Sequence, residues 1–421
     1  MEKTHSLGEG CELVTILEPK FKTSNLMAMF LVPIVPERNS AYALALSMLT
    51  QSCRRYPDNA AMSVALDTLY GASLSSSISV NGGVMQLSVN ASVIANRYAL
   101  DGEDLCGEMT DLLLSCIFEP NAVDGAFDAN EFRIQRKELL DAIQAEINNK
   151  RGYAMLRARQ TAFRGEPDAY PIYGTREDVE KLTPENVFAA YQEILRRAVI
   201  RVYYVGPEEY DALPGKLTAA FAKLPERAPE SLPYRTPSPA KAVCERVVEQ
   251  MDVVQSKLVI AFKAKGLGRE QIRLFSAIFG GTAFSMLFTN VREKMSLCYY
   301  CASRVVSCKD TVIVDSGVEL ANAEKTHEAI LAQLDAMRRG EFPDSLLENT
   351  KHTMVNALRG IGDTPASCLA ESYERFYTGD PADVETRIER FQALTREDII
   401  AAANALTEDT VYLMQQGGSA Q

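Results

Sequence analysis

The sequence predicts an α+β protein with two homologous domains, each a mixed or antiparallel sheet packed with helices. Strand patterns come in hairpins and helical patterns in separate blocks, the element order of the first half returns in the second, and a proline-rich stretch separates the halves. Strict alternation of strands and helices would instead favour a doubly wound parallel sheet. The predicted domains are residues 1–224 and 241–421, joined by a linker at 225–240.

The linker is the clearest break along the chain. Its sequence PERAPESLPYRTPSP holds five prolines among charged and polar residues. Proline interrupts both helix and strand hydrogen bonding, so neither element is expected here.

The first half contains five strand patterns and five helical patterns. Alternating or continuous apolar residues predict strands at 12–17, 26–32, 74–80, 84–93 and 199–205. Apolar spacing near 3.6 residues predicts helices at 41–51, 60–70, 104–116, 130–164 and 185–196. Gly82-Gly83 is a hairpin signal. In the long helix, Phe132, Leu139, Ile143 and Ile147 are expected to form the core face.

The second half repeats this order. Its strand patterns lie at 243–250, 257–263, 297–306, 311–318 and 410–414. Its helical patterns lie at 270–279, 283–294, 323–339, 344–359, 366–377, 383–392 and 396–405. Two copies of one unit explain the whole chain most economically.

Composition excludes several classes of protein. Of the 421 residues, 44 are Lys or Arg and 56 are Asp or Glu, a net charge of −12 that disfavours nucleic acid as a partner. The N-terminal residues contain no apolar run of signal-peptide length, which predicts a cytoplasmic chain with no membrane association. Nine cysteines, an odd number scattered along a long chain, predict reduced thiols.

Histidine is scarce, and this restricts metal chemistry. The chain has only His5, His327 and His352. A zinc site on one helix needs two histidines four residues apart, because that spacing puts both rings on one face. None of the three has such a neighbour, and His5 is expected to lie in a frayed terminus. The chain is therefore not expected to bind zinc by itself.

A cysteine group near residue 300 offers a second kind of chemistry. Cys298 and Cys301 have the CxxC spacing, and Cys308 is close in sequence. Residues three apart on a regular strand point to opposite faces, so the two thiols are expected to diverge. Structural, reduced cysteines are the favoured interpretation, and an enzyme that uses these thiols stays open as an alternative.

The stretch 280–303 places a cation and an aromatic residue around one predicted turn. Arg292 ends a predicted helix and Tyr299 begins the following strand. The simpler interpretation is a cation that complements the helix dipole and an ordinary strand aromatic. The alternative is that both side chains project toward one cleft and hydrogen-bond the carbonyls of an extended peptide.

This stretch, the repeat and the linker together resemble the pitrilysin/insulinase family of zinc peptidases, over essentially the whole chain. The resemblance is to the shorter bacterial members and to mitochondrial processing peptidase subunits. It implies two similar α+β domains that form half of a clamshell around an unfolded peptide. In the family, one domain carries HxxEH, and a later RExxGLxY segment carries an Arg–Tyr pair that holds the peptide backbone.

The chain keeps one of these motifs and lacks the other. RExxGLxY aligns with residues 292–299, which keep Arg292 and Tyr299 but have Ser296 in place of glycine. HxxEH aligns with residues 43–47, where Ala43, Leu46 and Ser47 cannot bind zinc or act as a base.

The resemblance therefore implies a non-catalytic subunit, inactive alone and without a metal or cofactor of its own. Arg292 and Tyr299 would bind a peptide or unfolded polypeptide, and a homologous partner chain would carry the zinc of a heterodimeric metallopeptidase. It leaves open a homodimer, and also a stand-alone peptide-binding or scaffold protein, including one tied to modification of elongation factor P.

Overall fold

The computed structural model describes residues 2–417, which divide into two compact units. The first unit comprises the chain up to Gln144, Tyr170–Tyr234 and Ile361–Gly379. The second comprises Ala145–Ala169, Arg235–Gly360 and the chain from Asp380 onward. The chain changes unit inside the predicted linker 225–240, which forms neither helix nor strand. The units differ from the contiguous domains 1–224 and 241–421 because each includes a segment from the other half of the sequence.

The strands pair into two large sheets and one small hairpin. They are β1 (Glu2–Gly8), β2 (Cys11–Leu17), β3 (Thr23–Pro33), β4 (Ser73–Asn81), β5 (Val84–Ile94), β6 (Ala122–Val123), β7 (Ala126–Phe127), β8 (Val199–Gly206), β9 (Glu245–Met251), β10 (Ser256–Lys263), β11 (Cys298–Val306), β12 (Thr311–Val318) and β13 (Thr407–Gln416).

The helices cover the faces of the two large sheets. They are α1 (Pro36–Met48), α2 (Asn59–Thr68), α3 (Leu105–Phe118), α4 (Ala129–Ala145), α5 (Lys150–Ala162), α6 (Arg176–Glu180), α7 (Pro184–Arg197), α8 (Leu213–Phe221), α9 (Arg269–Ser276), α10 (Ala323–Arg338), α11 (Asp344–Arg359), α12 (Pro365–Thr378), α13 (Val384–Ala393) and α14 (Arg396–Ala405). Among the described residues, no helix has the length and apolar character needed to cross a membrane.

The strand order confirms the predicted repeat and the mixed sheets. The first sheet runs β1-β2-β8-β3-β5-β4 and the second β9-β13-β10-β12-β11. If β1 is left out and the strands of each sheet are numbered along the chain, the two spatial orders are the same: the first strand is followed by the last, the second, the fourth and the third. In each sheet the first and last strands pair in parallel and the other neighbours are antiparallel.

Both faces of the first sheet are apolar. Along β3, Phe30 packs into the core formed with α1, α3, α7 and α8, while its neighbours Met29 and Leu31 point to the opposite face. That second face is covered by aromatic residues from the linker and from α12. The Tyr373 hydroxyl of α12 donates to the Tyr234 hydroxyl at 3.0 Å. This is why α12 belongs to the first unit.

The second sheet is also covered on both faces. On one face, α5 supplies Ala154, Ala158 and Ala162 against Val259 of β10 and Tyr412 of β13. The small side chains let α5 lie close to the sheet.

The opposite face of the second sheet carries Phe262. Its ring meets Phe279 edge-on, with centroids 6.5 Å apart. Phe279 follows α9, so the segment that leads toward Arg292 is packed directly on the sheet.

The predicted single helix at 130–164 is wrong, because the chain breaks at Asn149. α4 ends at Ala145, and Asn149 has non-helical angles (φ −84°, ψ 80°). Its side chain accepts a hydrogen bond from the Gly152 N–H at 3.0 Å and so begins α5 as an N-cap. Of the predicted core face, Phe132 is buried, Leu139 and Ile143 are half-buried, and Ile147 is exposed.

The N-terminus is also not frayed as predicted. β1 pairs antiparallel with β2, and His5 lies opposite Leu13. The exposed, polar pattern of β1 gives no strand signal in the sequence. The short helices α6 and α8 were likewise not predicted, although α8 buries Leu217 and Phe221. Helix α1 begins at Pro36, before the predicted residue 41.

Gly280 allows the segment after α9 to approach β11 closely. The segment Ala277–Gly281 is a wide π-type turn. A Cβ atom on Gly280 would lie 2.8 Å from both the Ser303 nitrogen and the Leu287 Cδ1. No side chain fits in that space without a shift of β11 or its neighbours.

We expect Gly280→Ala to lower the free energy of unfolding by about 1–3 kcal/mol through overpacking. Gly215→Ala is the control: it lies in α8 with nothing near the new Cβ, and it should stabilise by about 0.4–1 kcal/mol. Urea unfolding followed by circular dichroism measures both. An alanine at 280 that leaves stability unchanged would contradict the close approach.

Candidate functional site

The flat face of the Arg292 guanidinium packs against an aromatic ring, and its edge is open to a ligand. It lies in the last turn of the wide helical segment Leu287–Lys294 and is partly exposed. Its guanidinium lies over the Phe288 ring, 4.6 Å from the centroid, and pairs with Glu293 at 3.5 Å. The remaining N–H groups can donate to the carbonyl oxygen of a ligand.

The helix that carries Arg292 ends at a left-handed residue. Ser296 has a φ of 52°. On either side of it, the Met295 N–H donates to the Asn290 oxygen at 3.0 Å and the Leu297 N–H to the Val291 oxygen at 3.2 Å. Glycine is the usual residue at such a helix end because it has no Cβ to clash. The chain makes this turn with serine, at a conformational cost of about 1 kcal/mol.

Tyr299 is the extra residue of a β-bulge at the edge of the second sheet. Cys298 pairs with Val318 and Tyr300 with Gly317, so Tyr299 has no partner on β12. The residue is 57% exposed.

The Tyr299 hydroxyl donates to the carboxylate of Glu319. This hydrogen bond and the charge of Glu319 raise the pKa of Tyr299, because a phenolate beside a carboxylate is disfavoured. With its proton used by Glu319, the hydroxyl oxygen is left to accept a hydrogen bond.

Tyr300, which follows it, has a structural role. The Arg151 guanidinium lies 4.2 Å from its ring centroid, and the Lys257 ammonium 5.7 Å from it. Arg151 also pairs with the buried Asp315. Burial, and then the negative charge of Asp315, raise the pKa of Tyr300 to about 12. Of the two tyrosines, Tyr299 is the one available to a ligand.

Arg292 and Tyr299 flank one turn, and each has its own partner. In the described chain no hydrogen bond joins their side chains. The expectation that both project toward one cleft stays a prediction. Glu319 was not predicted as part of this site. Its position in the sequence could have indicated this role. Glu319 directly follows β12, and the hairpin places the last residue of β12, Val318, opposite Cys298, the neighbour of Tyr299.

The prediction that the CxxC thiols diverge is wrong. The same bulge shifts the alternation by one residue, so Cys298 and Cys301 lie on one face of β11. The Cys301 thiol is within hydrogen-bonding reach and is the main cause of a lowered pKa at Cys298. Cys308 lies in a turn beyond the opposite end of β11, so the three cysteines do not form one cluster. All nine cysteines are free thiols.

The position of the zinc motif is occupied by residues that do not fit a metal. In α1, Ala43 and Leu46 are buried, and the Ser47 hydroxyl donates to the Leu44 carbonyl oxygen at 2.9 Å. Two aliphatic side chains and a hydroxyl bound to its own helix offer no imidazole or carboxylate to zinc.

The histidines do not assemble a site elsewhere. His5 lies in β1, His352 is exposed in α11, and the buried His327 of α10 contacts Glu408 and Arg246. Within residues 2–417, no group of three His, Cys, Asp or Glu side chains is placed to hold a metal ion.

Comparison with known proteins agrees with this architecture. A family model described as "Peptidase M16 inactive domain" matches residues 181–354. The chain is 30% identical over 404 residues to the "Probable inactive metalloprotease YmfF" of Bacillus subtilis (strain 168), a match covering 94% of this chain and 93% of that protein.

Solved structures show the same fold. A conserved protein from Enterococcus faecalis V583 matches with a TM-score of 0.92 and 24% identity over 100% of both chains. A protease from Helicobacter pylori matches with a TM-score of 0.79 and 16% identity over 99% of both chains.

The chain belongs to the peptidase M16 family, the pitrilysin/insulinase family that its sequence resembles. Within that family it is an inactive peptidase homologue, since the HxxEH residues are absent from α1.

We expect Ser296→Gly to raise the free energy of unfolding by about 1 kcal/mol, because glycine adopts the left-handed angle without strain. Ser345→Gly is the control, an exposed serine in α11 where glycine should destabilise by a few tenths of a kcal/mol. Urea unfolding measures both. If Ser296→Gly is less stable than the unaltered protein, the inference that Ser296 is strained is wrong.

We expect Glu319→Gln to lower the pKa of Tyr299 toward that of a free tyrosine, because the neighbouring negative charge is lost. The chain has 17 tyrosines and no tryptophan, so ultraviolet titration reports phenolate formation directly. One tyrosine should ionise at lower pH than in the unaltered protein, and Glu328→Gln, an exposed change on α10, should leave the curve unchanged. Identical curves for the Glu319 variant and the unaltered protein would show that this hydrogen bond is absent.

Proposed function

We propose that the chain is the non-catalytic subunit of a two-chain zinc metallopeptidase. It binds the main chain of a peptide through Arg292 and Tyr299, and a homologous partner with an intact HxxEH motif carries the zinc. One observation carries the proposal: a hydrogen-bond donor and a hydrogen-bond acceptor flank one turn, in a chain with buried aliphatic residues at the positions that align with the metal motif.

The two side chains complement the two polar groups of a peptide unit. Arg292 donates to a carbonyl oxygen, and Tyr299, whose own proton is bound to Glu319, accepts from an N–H. Such contacts recognise any extended main chain, whatever its side chains. They suit a peptidase that acts on unfolded polypeptides.

The sheet offers a place for that peptide. β11 is an edge strand, so the backbone on its outer side is available to an added strand. A peptide in this position would pass the bulge from which Tyr299 projects. Its scissile bond would then be oriented by this chain, while the partner chain supplies the electrophilic activation.

Charge and thiol state support further features of the proposal. The net charge of −12 favours basic peptides through long-range attraction. Nine free thiols suit a reducing compartment, and we place the complex in the cytoplasm.

Co-expression with a homologous HxxEH chain from the same genome tests the proposal. The lone chain should hold no stoichiometric zinc, as measured by atomic absorption, and should cleave no peptide. The mixture of the two chains should bind zinc and cleave peptides. Arg292→Ala should lower kcat/KM by roughly 10–100-fold, as expected for a lost charged hydrogen bond, and Tyr299→Phe by roughly fivefold. Lys294→Ala is the control, because it removes a cation from the same helix end.

Size-exclusion chromatography must show that each variant still pairs with the partner. If the HxxEH chain alone is fully active, the subunit model is wrong. Another outcome is a mixture that shows no cleavage while this chain alone binds an unfolded peptide in an Arg292-dependent way. In that case the stand-alone binding role replaces the subunit model.

A further inference from the structure

The register around the bulge in β11 places its two cysteines next to each other on one face of the strand. Cys298 pairs with Val318 and Cys301 with Ser316. Because Val318 and Ser316 are two residues apart on β12, the two cysteines share a face and span roughly the 6.5 Å of two strand residues. Disulfides span Cα separations of about 4.4–6.8 Å. The bulge therefore permits a bond that a regular strand would forbid.

The two thiols differ in access and in ionisation. Cys301 is 4% exposed, whereas Cys298 is only partly buried. The hydrogen bond from Cys301, then the Ser316 hydroxyl and the charge of Arg292, lower the pKa of Cys298. The same contact and burial raise the pKa of Cys301. An accessible thiol that ionises first, beside a buried one, is the arrangement of an attacking and a resolving cysteine.

We propose that Cys298 and Cys301 form a thiol–disulfide exchange site for low-molecular-weight disulfides such as oxidised glutathione. The inference does not depend on the proposed peptidase role. Both cysteines are free thiols in the structure, which is the form from which the exchange starts.

The exchange takes two steps. The Cys298 thiolate attacks one sulfur of the small disulfide, forming a mixed disulfide and releasing a small thiolate that takes up the proton lost by Cys298. The Cys301 sulfur then attacks the Cys298 sulfur, and the second small thiol leaves with the proton of Cys301. Two cysteine thiols become one disulfide, and one small disulfide is reduced to two thiols.

Oxidation would act on the candidate peptide-binding residue. The disulfide closes a ring from Cys298 to Cys301 that contains Tyr299 and Tyr300. It would fix the bulge from which Tyr299 projects.

The test exposes the folded, full-length protein to oxidised glutathione at graded ratios to reduced glutathione. Free thiols are then blocked with N-ethylmaleimide, and peptides are mapped by mass spectrometry before and after reduction. The unaltered protein should form the Cys298–Cys301 disulfide. Cys301→Ser should instead accumulate a glutathione adduct at Cys298, and Cys298→Ser should form neither product.

Two internal controls are available. Cys244 is also partly buried, but burial raises its pKa to about 11, so Cys298 should react at least about tenfold faster. Cys53 and Cys116 also lie within hydrogen-bonding reach of each other but are fully buried, and they should remain thiols while circular dichroism shows an intact fold.

The proposal is overturned if Cys298 and Cys301 stay reduced under all oxidising ratios, or if Cys301→Ser gives no adduct at Cys298. Oxidation of Cys53–Cys116 at the same rate would overturn it too, since both pairs would then react through unfolded chain.

Discussion

Each of the two large sheets has apolar side chains on both faces, and this constraint decides how the chain is divided. A sheet with two apolar faces needs a helical layer on each. In each unit, one layer comes from helices of the same half of the sequence. The other is supplied by α12 and the linker for the first sheet and by α5 for the second, and the sequence places each of these two helices in the opposite half. Each repeated unit therefore obtains its second covering layer only in the folded structure, from the other half of the sequence.

The candidate site depends on how the ends of the second sheet are built. Gly280 lets the segment after α9 approach β11, the left-handed Ser296 ends the helix that carries Arg292, and the bulge projects Tyr299. Each of these is a local departure from regular geometry that costs stability or demands a special residue. Such departures commonly occur where a protein binds something. Here they place a guanidinium and a phenol on either side of one turn.

The first unit shows how a family fold persists without its chemistry. The positions that align with HxxEH lie in α1, where Ala43 and Leu46 are buried. Aliphatic residues at these positions avoid the desolvation that buried imidazole and carboxylate groups would require. The second unit has polar residues at the surface, the partly exposed Arg292 and the exposed Tyr299, where the desolvation cost is smaller.

The sequence by itself determined most of the strands and helices. Apolar periodicity located the strands of the second half and helices such as α11 and α14, and the proline-rich stretch located the crossing between units, because these signals are local. Arg292 and Tyr299 were likewise identifiable from a motif. Only the tertiary structure decided that the helix predicted at 130–164 breaks at Asn149, that the polar β1 is a strand, and that Cys298 and Cys301 share a face. Each of these depends on a partner outside the segment itself: the second sheet for α5, β2 for β1, and the register of β12 for the bulge. Spacing along one segment carries no information about such partners.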